Sequence, residues 1–227
     1  MAIALVDSDA VGFADGSGGH VYTVPAGAPG ANDFDALCIN SNTTVTTPSG
    51  FTLRVDATNN QGAYLYTRKG GSGTTITITT SGDHNTDLVW SRWSGVDDYS
   101  AGGFTRADNT NGSVLPATST GTLASTGMLV VAFGALHNFD GALATAPSWG
   151  NSFTAMEITS SGSAASSSAT VAVTGYKTNA GTAAETIDSV SWTNDARNRY
   201  ALWISALAAG GTDATATPAT IAVVAAL

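Results

Sequence analysis

The fold class of this chain is decided by Ala63-Tyr64-Leu65-Tyr66-Thr67-Arg68 and, beyond Gly70-Gly71-Ser72-Gly73, by Thr74-Thr75-Ile76-Thr77-Ile78-Thr79-Thr80. Both flanking stretches are rich in β-branched and aromatic residues, and the second one alternates isoleucine with threonine. That two-residue period is typical of a half-buried β-strand. The glycine-rich stretch between them is typical of a turn. We therefore predict two strands here and interpret them as partners in one hairpin.

Similar patterns occur along the rest of the chain. The continuous apolar run Met128 to Phe133 predicts a central strand that is covered on both faces. Turn residues such as Asp140-Gly141 separate the apolar runs, and no long segment has the 3.6-residue period of a helix. Many short strands at this spacing predict an all-β, antiparallel β-sandwich of jelly-roll-like type.

The chain also contains an internal repeat, in which residues of about 20–100 match residues of about 127–208 in the same order. Trp90 and Trp203 occupy equivalent places in this repeat. We predict that residues 1–208 form a single β-sandwich built from two sequence-related halves. We expect the two tryptophans to be paired core residues that fill the space between the sheets.

Composition restricts the function classes. The chain has 227 residues, of which 43% are hydrophobic and 11% charged, and the net charge is −9. The apolar content argues against disorder, and the acidic balance argues against nucleic-acid binding. The last apolar run, 221–227, is far shorter than the ~20 residues of a membrane helix, and the first residues do not resemble a signal peptide. We therefore expect no membrane insertion and no secretion signal, and Cys38 is expected to be a core residue.

The C-terminal part has a different character. Residues 209–218 are rich in Gly, Ala and Thr and predict a linker, and residues 219–227 form an uncharged apolar segment. We predict that this segment is an extended strand that acts as a tether by pairing with another chain, so that the protein is a homo-oligomer. Its candidate partner-binding residues are Ile221, Val223, Val224 and Leu227. The alternative is a last strand that folds back on its own sheet.

The sequence predicts no catalytic residue, no metal ligand set and no cofactor. The phosphate-loop, Cys-x-x-Cys, zinc-protease and Gly-x-Ser-x-Gly patterns are absent. A bound Ca²⁺ stays an open alternative because paired carboxylates occur at Asp7-Ser8-Asp9, Asp33-Phe34-Asp35 and Asp97-Asp98. A glycan-cleaving enzyme would need two facing carboxylates, and the only glutamates, Glu157 and Glu185, lie in no recognisable motif.

A family resemblance adds to these inferences. The order Val24-Pro25-Ala26-Gly27, Thr44 to Leu53, Ala63 to Tyr66 and Trp93 to Asp97 resembles a β-sandwich module of tailed-bacteriophage virion proteins, chiefly of phages that infect actinobacteria. Such modules occur in minor tail proteins and related particle-surface proteins. The segment Thr217 to Ala222 is similar to one that is common in the same proteins.

The resemblance implies a non-enzymatic structural protein of the virion, of the minor-tail or capsid-decoration type, assembled in the host cytoplasm with other virion proteins as partners. The alternative function is a lectin-like adhesion module that recognises host cell-wall glycans. Its candidate stacking residues are Trp149, Trp192 and Tyr99.

Overall fold

A computed structural model describes residues 2–14, 19–57, 62–81, 85–107, 112–139, 148–161, 170–187 and 196–208. Within these ranges the chain contains β-strands and no helix. The strands are β1 Ala4–Phe13, β2 Gly19–Thr23, β3 Phe34–Ser41, β4 Val45–Thr46, β5 Thr52–Asp56, β6 Gly62–Lys69, β7 Thr75–Thr80, β8 Thr86–Ser94, β9 Val96–Ala107, β10 Thr118–Ser119, β11 Leu129–Phe139, β12 Thr154–Ser161, β13 Thr170–Thr178, β14 Thr186–Ile187 and β15 Ala196–Ala208.

Two five-stranded sheets pack face to face and form the centre of the molecule. The first large sheet has the order β1-β8-β3-β6-β5, and the second has the order β12-β13-β11-β15-β9. Every strand pair in them is antiparallel. The core between the sheets contains residues of both, such as Phe34, Trp93, Phe133 and Leu202. The predicted all-β, antiparallel class is confirmed, and so is the central position of β11.

Each large sheet is also covered on its outer face, because successive side chains of a strand point to opposite faces. A smaller sheet of order β2-β7-β4 covers the first large sheet, and Tyr22, Ile78 and Trp90 pack in the cluster between them. Leu123, Phe153 and Ile187 are part of the cluster that covers the second large sheet. The molecule therefore has buried side chains in three successive layers.

The predicted hairpin is wrong in its pairing, although both of its strands exist. β6 pairs with β3 and β5 in the first large sheet, whereas β7 pairs with β2 and β4 in the smaller sheet. Gly70 and Gly71, both with positive φ, carry the chain from one layer to the next. Tyr66 of β6 and Ile78 of β7 consequently belong to one apolar cluster between two sheets and do not lie side by side in one sheet.

The predicted pairing of the two tryptophans is also wrong. Trp90 and Trp203 are both buried, but Trp90 lies under the smaller sheet and Trp203 lies on the outer face of the second large sheet. The space between the large sheets is occupied by Trp93 instead. The two-residue period explains the difference, because Trp90 and Trp93 are an odd number of residues apart on β8 and so point to opposite faces.

The two large sheets share one strand order. Read from β9, the second sheet is β9-β15-β11-β13-β12, and each of these strands takes the position of its counterpart in β1-β8-β3-β6-β5. In this shared order β1 and β9 also occupy equivalent places, and the predicted origin from two sequence-related halves stays a prediction. The predicted linker 209–218 and the strand 219–227 lie outside the described residues.

Candidate functional site

The free edges of the two large sheets are the candidate interaction sites. β1, β5, β9 and β12 are the edge strands, and no other described strand pairs with their outer sides. Six of the seven exposed large apolar residues in the described part of the chain lie on edge strands of the large sheets or of the smaller sheet. These six are Leu5, Val6, Val21, Leu53, Phe104 and Ile158. Exposed apolar groups beside unpaired backbone donors and acceptors are suited to strand addition.

The edge formed by β5 and β9 joins the two large sheets through an aromatic and cationic contact. The guanidinium of Arg54 lies 4.3 Å from the ring centroid of Tyr99, and its Nε donates to Thr67 Oγ1 at 2.8 Å. Burial raises the pKa of Tyr99, and the charge of Arg54 partly offsets that rise. Phe104 of β9 is 46% exposed, so this edge presents a half-exposed aromatic side chain.

The opposite edge, formed by β1 and β12, is acidic. Ser8 Oγ donates to Glu157 Oε1 at 2.6 Å and thereby connects the two sheets. The hydroxyl of Tyr22 donates to Asp9 Oδ2 at 3.0 Å. Burial and this hydrogen bond raise the pKa of Tyr22 above its ordinary value. The carboxylates of this edge therefore have polar partners within the protein.

A buried charged cluster lies on the outer face of the first large sheet. Asp35 of β3 is directly opposite Arg68 of β6 and Arg92 of β8. Its Oδ2 accepts from Arg68 Nη2 at 2.5 Å and its Oδ1 accepts from Arg92 Nε at 2.8 Å. Arg92 Nη1 also donates to the carbonyl oxygen of Gly27 at 3.1 Å, and the guanidinium of Arg68 lies 4.5 Å from the ring of Phe51. These contacts fix the register of three neighbouring strands.

The second large sheet lacks this cluster. The row Trp90, Leu37 and Tyr66 of the first sheet corresponds by position to Trp203, Ala132 and Gly175 of the second. Two residues further along, where the first sheet has Arg92, Asp35 and Arg68, the second sheet has Ser205, Val130 and Lys177. The buried charges are thus a feature of the first sheet.

Two further buried titratable side chains, Asp87 and His137, lie between the two large sheets at one end. Burial raises the pKa of Asp87 to about 8, and the nearby hydroxyl groups of Thr170 and Ser161 act in the opposite direction, although neither carboxylate oxygen lies within hydrogen-bond geometry of a partner in the described part of the chain. Burial lowers the pKa of His137 to about 3, and the charge of Arg106 adds to that effect. His137 Nδ1 lies 2.6 Å from Asn42 Oδ1. Both titratable groups are fully buried, which separates them from any substrate in solvent.

A small cleft lies where the chain passes from β8 to β9, and the sequence analysis did not predict it. Its lining consists of Asn32, Asp33, Lys69, Ser94, Gly95, Val96 and Asp97. Lys69 Nζ donates to the carbonyl oxygen of Asp97 and lies 3.0 Å from Asp97 Oδ1. Asp33 Oδ2 accepts from the backbone N–H of Gly30 at 2.7 Å. The charged groups named here are thus already engaged with one another or with the backbone.

The carboxylates considered for Ca²⁺ are distributed over separate contacts. Asp7 and Asp9 lie on β1, Asp35 is buried between two arginines, and Asp97 pairs with Lys69. Among the described residues no group of three or more His, Cys, Asp or Glu side chains is placed to hold a metal ion.

Two of the aromatic residues considered for glycan stacking, Trp149 and Tyr99, do not share a surface. Trp149 is partly buried, packs against both outer clusters of the second large sheet and lies 6.0 Å from the ring of Phe153. A Cβ at Gly175 would come within 2.9 Å of the Trp149 ring, so the indole covers this glycine. Tyr99 instead packs against the core between the large sheets. Trp192 lies outside the described residues.

Of two other predictions, one is confirmed and one stays a prediction. Cys38 is fully buried and burial raises the pKa of its thiol, so its predicted place in the core is confirmed. The candidate partner-binding residues Ile221, Val223, Val224 and Leu227 lie outside the described part of the chain.

Comparisons with known proteins gave no match: no protein-family model, no curated protein and no solved structure matches this chain. In the described ranges no helix has the length and apolar character required to cross a membrane.

Proposed function

We propose that this protein is a non-enzymatic structural component of a tailed-bacteriophage virion, of the minor-tail or capsid-decoration type. It docks on other virion proteins through its sheet edges and its C-terminal segment. The observation that carries the proposal is the concentration of exposed large apolar side chains on edge strands. An edge strand with exposed apolar groups supplies both backbone hydrogen bonds and apolar area to a partner. The phage context rests on the sequence resemblance alone.

The use of charged residues supports a structural role. Asp35, Arg68 and Arg92 are buried and bonded to one another. Asp87 and His137 are buried between the large sheets. Buried contacts such as those of Asp35 with Arg68 and Arg92 favour one strand register.

The position of Ala208 makes the C-terminal segment suitable as a tether. Ala208 is the last described residue and lies opposite Val96, at the start of the edge strand β9. The ten residues 209–218 span at most about 33–36 Å when fully extended. Residues 219–227 can therefore reach a neighbouring chain from this edge, and we propose that they pair with it as a strand.

Deletion of residues 212–227 tests the tether. We expect the shortened chain to keep the β-sheet circular dichroism spectrum and melting temperature of the full chain, because the described sheets end at Ala208. We expect it to be absent from purified particles, as measured by quantitative mass spectrometry and by electron microscopy of the particles. Thr215→Ser within the linker is the matched control and should incorporate normally. A shortened chain that incorporates at full occupancy would refute the tether.

A further inference from the structure

One buried side chain, Asn40, joins the two large sheets at one end. Asn40 lies on β3 of the first large sheet and is fully buried. Its Nδ2 donates to the carbonyl oxygen of Leu136 at 3.2 Å and to that of Val171 at 2.8 Å. Both acceptors belong to the second large sheet, on β11 and β13. The amide group therefore holds two strands of one sheet against the other sheet.

These two bonds fix the orientation of the Asn40 amide. Its two N–H groups are directed to the two carbonyl oxygens, so Oδ1 is turned away from them. Asn40 Oδ1 is buried and has no hydrogen-bond partner among the described residues. A buried acceptor without a donor is destabilising, so a donor on the first sheet would strengthen the contact.

Asp87 lies where that donor is needed. It is directly opposite Asn40 on the neighbouring strand β8, and directly opposite side chains share one face of a sheet. Asp87 is fully buried, and both of its carboxyl oxygens are without a partner among the described residues. An ionised carboxyl group only accepts hydrogen bonds, whereas a protonated one also donates. A proton on Asp87 therefore supplies the donor that Asn40 Oδ1 lacks.

We propose that Asp87 is protonated in the folded protein and donates to Asn40 Oδ1, and that this contact holds the two large sheets together at this end until Asp87 ionises. Ionisation removes the donor and leaves a buried carboxylate facing an amide oxygen. Because an uncompensated buried charge is costly, exposure of this end to water becomes easier as pH rises. The inference concerns the fold and does not depend on the virion role.

The groups around Asp87 leave its charge uncompensated. The other titratable side chains on β3 and β11 at this end are Cys38 and His137. Burial raises the pKa of the Cys38 thiol and lowers the pKa of His137 to about 3, so both groups are neutral near pH 7. From β1, β12 and β13 the carboxyl group is faced by the uncharged residues Gly12, Ser161 and Thr170. The charged residues of those three strands are engaged elsewhere: Asp7 with the N–H of Ser8, Asp9 with Tyr22, Glu157 with Ser8 and Lys177 with Glu185.

Infrared spectroscopy of the purified full chain detects the proton. At pH 6 we expect the C=O stretch of a protonated carboxylic acid, which should be absent in Asp87→Asn and retained in the control Asp98→Asn, whose carboxyl group is exposed. The band should move to higher frequency in Asn40→Ala, because the acid loses its acceptor. If that variant does not fold, the carboxamide ¹³C resonance of Asn40 in the wild type should shift with the same pH midpoint as the band. Absence of the band in the wild type, or a band and a resonance that respond to neither change, would overturn the proposal.

Hydrogen exchange measures the opening. After correction for the intrinsic exchange rate, the opening constant at Val171 should rise about tenfold from pH 6 to pH 7 relative to that at Tyr176, near the other end of β13. Asp87→Asn keeps an N–H donor for Asn40 and removes the titration, so its ratio should stay constant. An equal rise at both residues would indicate global unfolding alone and would overturn the local contact. A wild-type ratio that does not change with pH would overturn it as well.

Discussion

Replacement of Asp35 by asparagine tests how much the buried cluster of Asp35, Arg68 and Arg92 contributes to the stability of the fold. Asp35 is fully buried and accepts hydrogen bonds from Arg68 and Arg92 at 2.5 and 2.8 Å. Asparagine has nearly the same shape but no charge, so two buried guanidinium groups lose their counter-ion. Removal of one partner of a buried ion pair costs about 3–5 kcal/mol. For a domain of this size that loss lowers the melting temperature by about 6–20 °C.

The assay is urea denaturation followed by tryptophan fluorescence, with the melting temperature from calorimetry as an independent measure. The matched control is Asp97→Asn, which removes an exposed partner of Lys69. An exposed ion pair contributes about 0–1 kcal/mol, so this variant should remain close to the wild type. If Asp35→Asn lowers the free energy of unfolding by no more than the control does, the reasoning about the buried cluster is refuted.

A compensating variant separates charge from packing. When Asp35, Arg68 and Arg92 are replaced together by Leu, Met and Met, no buried charge remains uncompensated. Such apolar replacements of buried ionic groups are often neutral or stabilising. We expect the triple variant to recover most of the loss, although the carbonyl oxygen of Gly27 loses the donor that Arg92 supplies. A triple variant that is less stable than Asp35→Asn would contradict this explanation.

The remaining predictions concern the pH dependence of stability and two glycines. Because the pKa of Asp87 is about 8 in the fold and 3.8 ordinarily, the folded state holds its proton more tightly, and stability falls as pH rises from about 4 to 8. The pKa of His137 is about 3 in the fold and 6.5 ordinarily, so the unfolded state binds a proton more readily and stability falls as pH decreases from 6.5 to 3. The effects of Asp87 and His137 therefore oppose each other between about pH 4 and 6.5. Urea denaturation should therefore show a loss of about 2 kcal/mol between pH 6.5 and 8, and this loss should be absent in Asp87→Asn; equal slopes in both proteins would contradict the assignment. Gly95→Ala should lower the free energy of unfolding by about 3 kcal/mol or more, because φ is +73° and a Cβ would collide with the backbone of Ala2. The control Gly27→Ala has φ +70° but open space around the Cβ, so it should lower that free energy by about 1–2 kcal/mol. Similar losses in the two variants would contradict this explanation.

Local sequence patterns were sufficient to predict several strands and the fold class. The alternation in Thr75–Thr80 and the apolar run that starts at Met128 both correspond to strands, β7 and β11. The order of the sheets was not predictable in the same way. β6 and β7 are neighbours in the chain with a turn between them, and that pattern is equally compatible with a hairpin and with a crossing between layers.

The candidate interaction site was only partly visible in the sequence. Tyr99 was singled out as a stacking residue, and the structure places it under Arg54 at a sheet edge. Phe104 was not singled out, because exposure of a side chain in a strand depends on whether a neighbouring strand covers it. That information lies in residues distant along the chain.

The amino-acid sequence by itself determined that this protein is built of β-strands and that its surface is acidic, because both follow from local periodicity and composition. Only the tertiary structure decided that Asp35 lies between two arginines from different strands, that Trp90 and Trp203 lie in separate layers, and that β9 is an edge. The physical reason is that strand pairing is a long-range choice. Many partners satisfy the same two-residue pattern, and the burial of side chains in three layers at once selects among them.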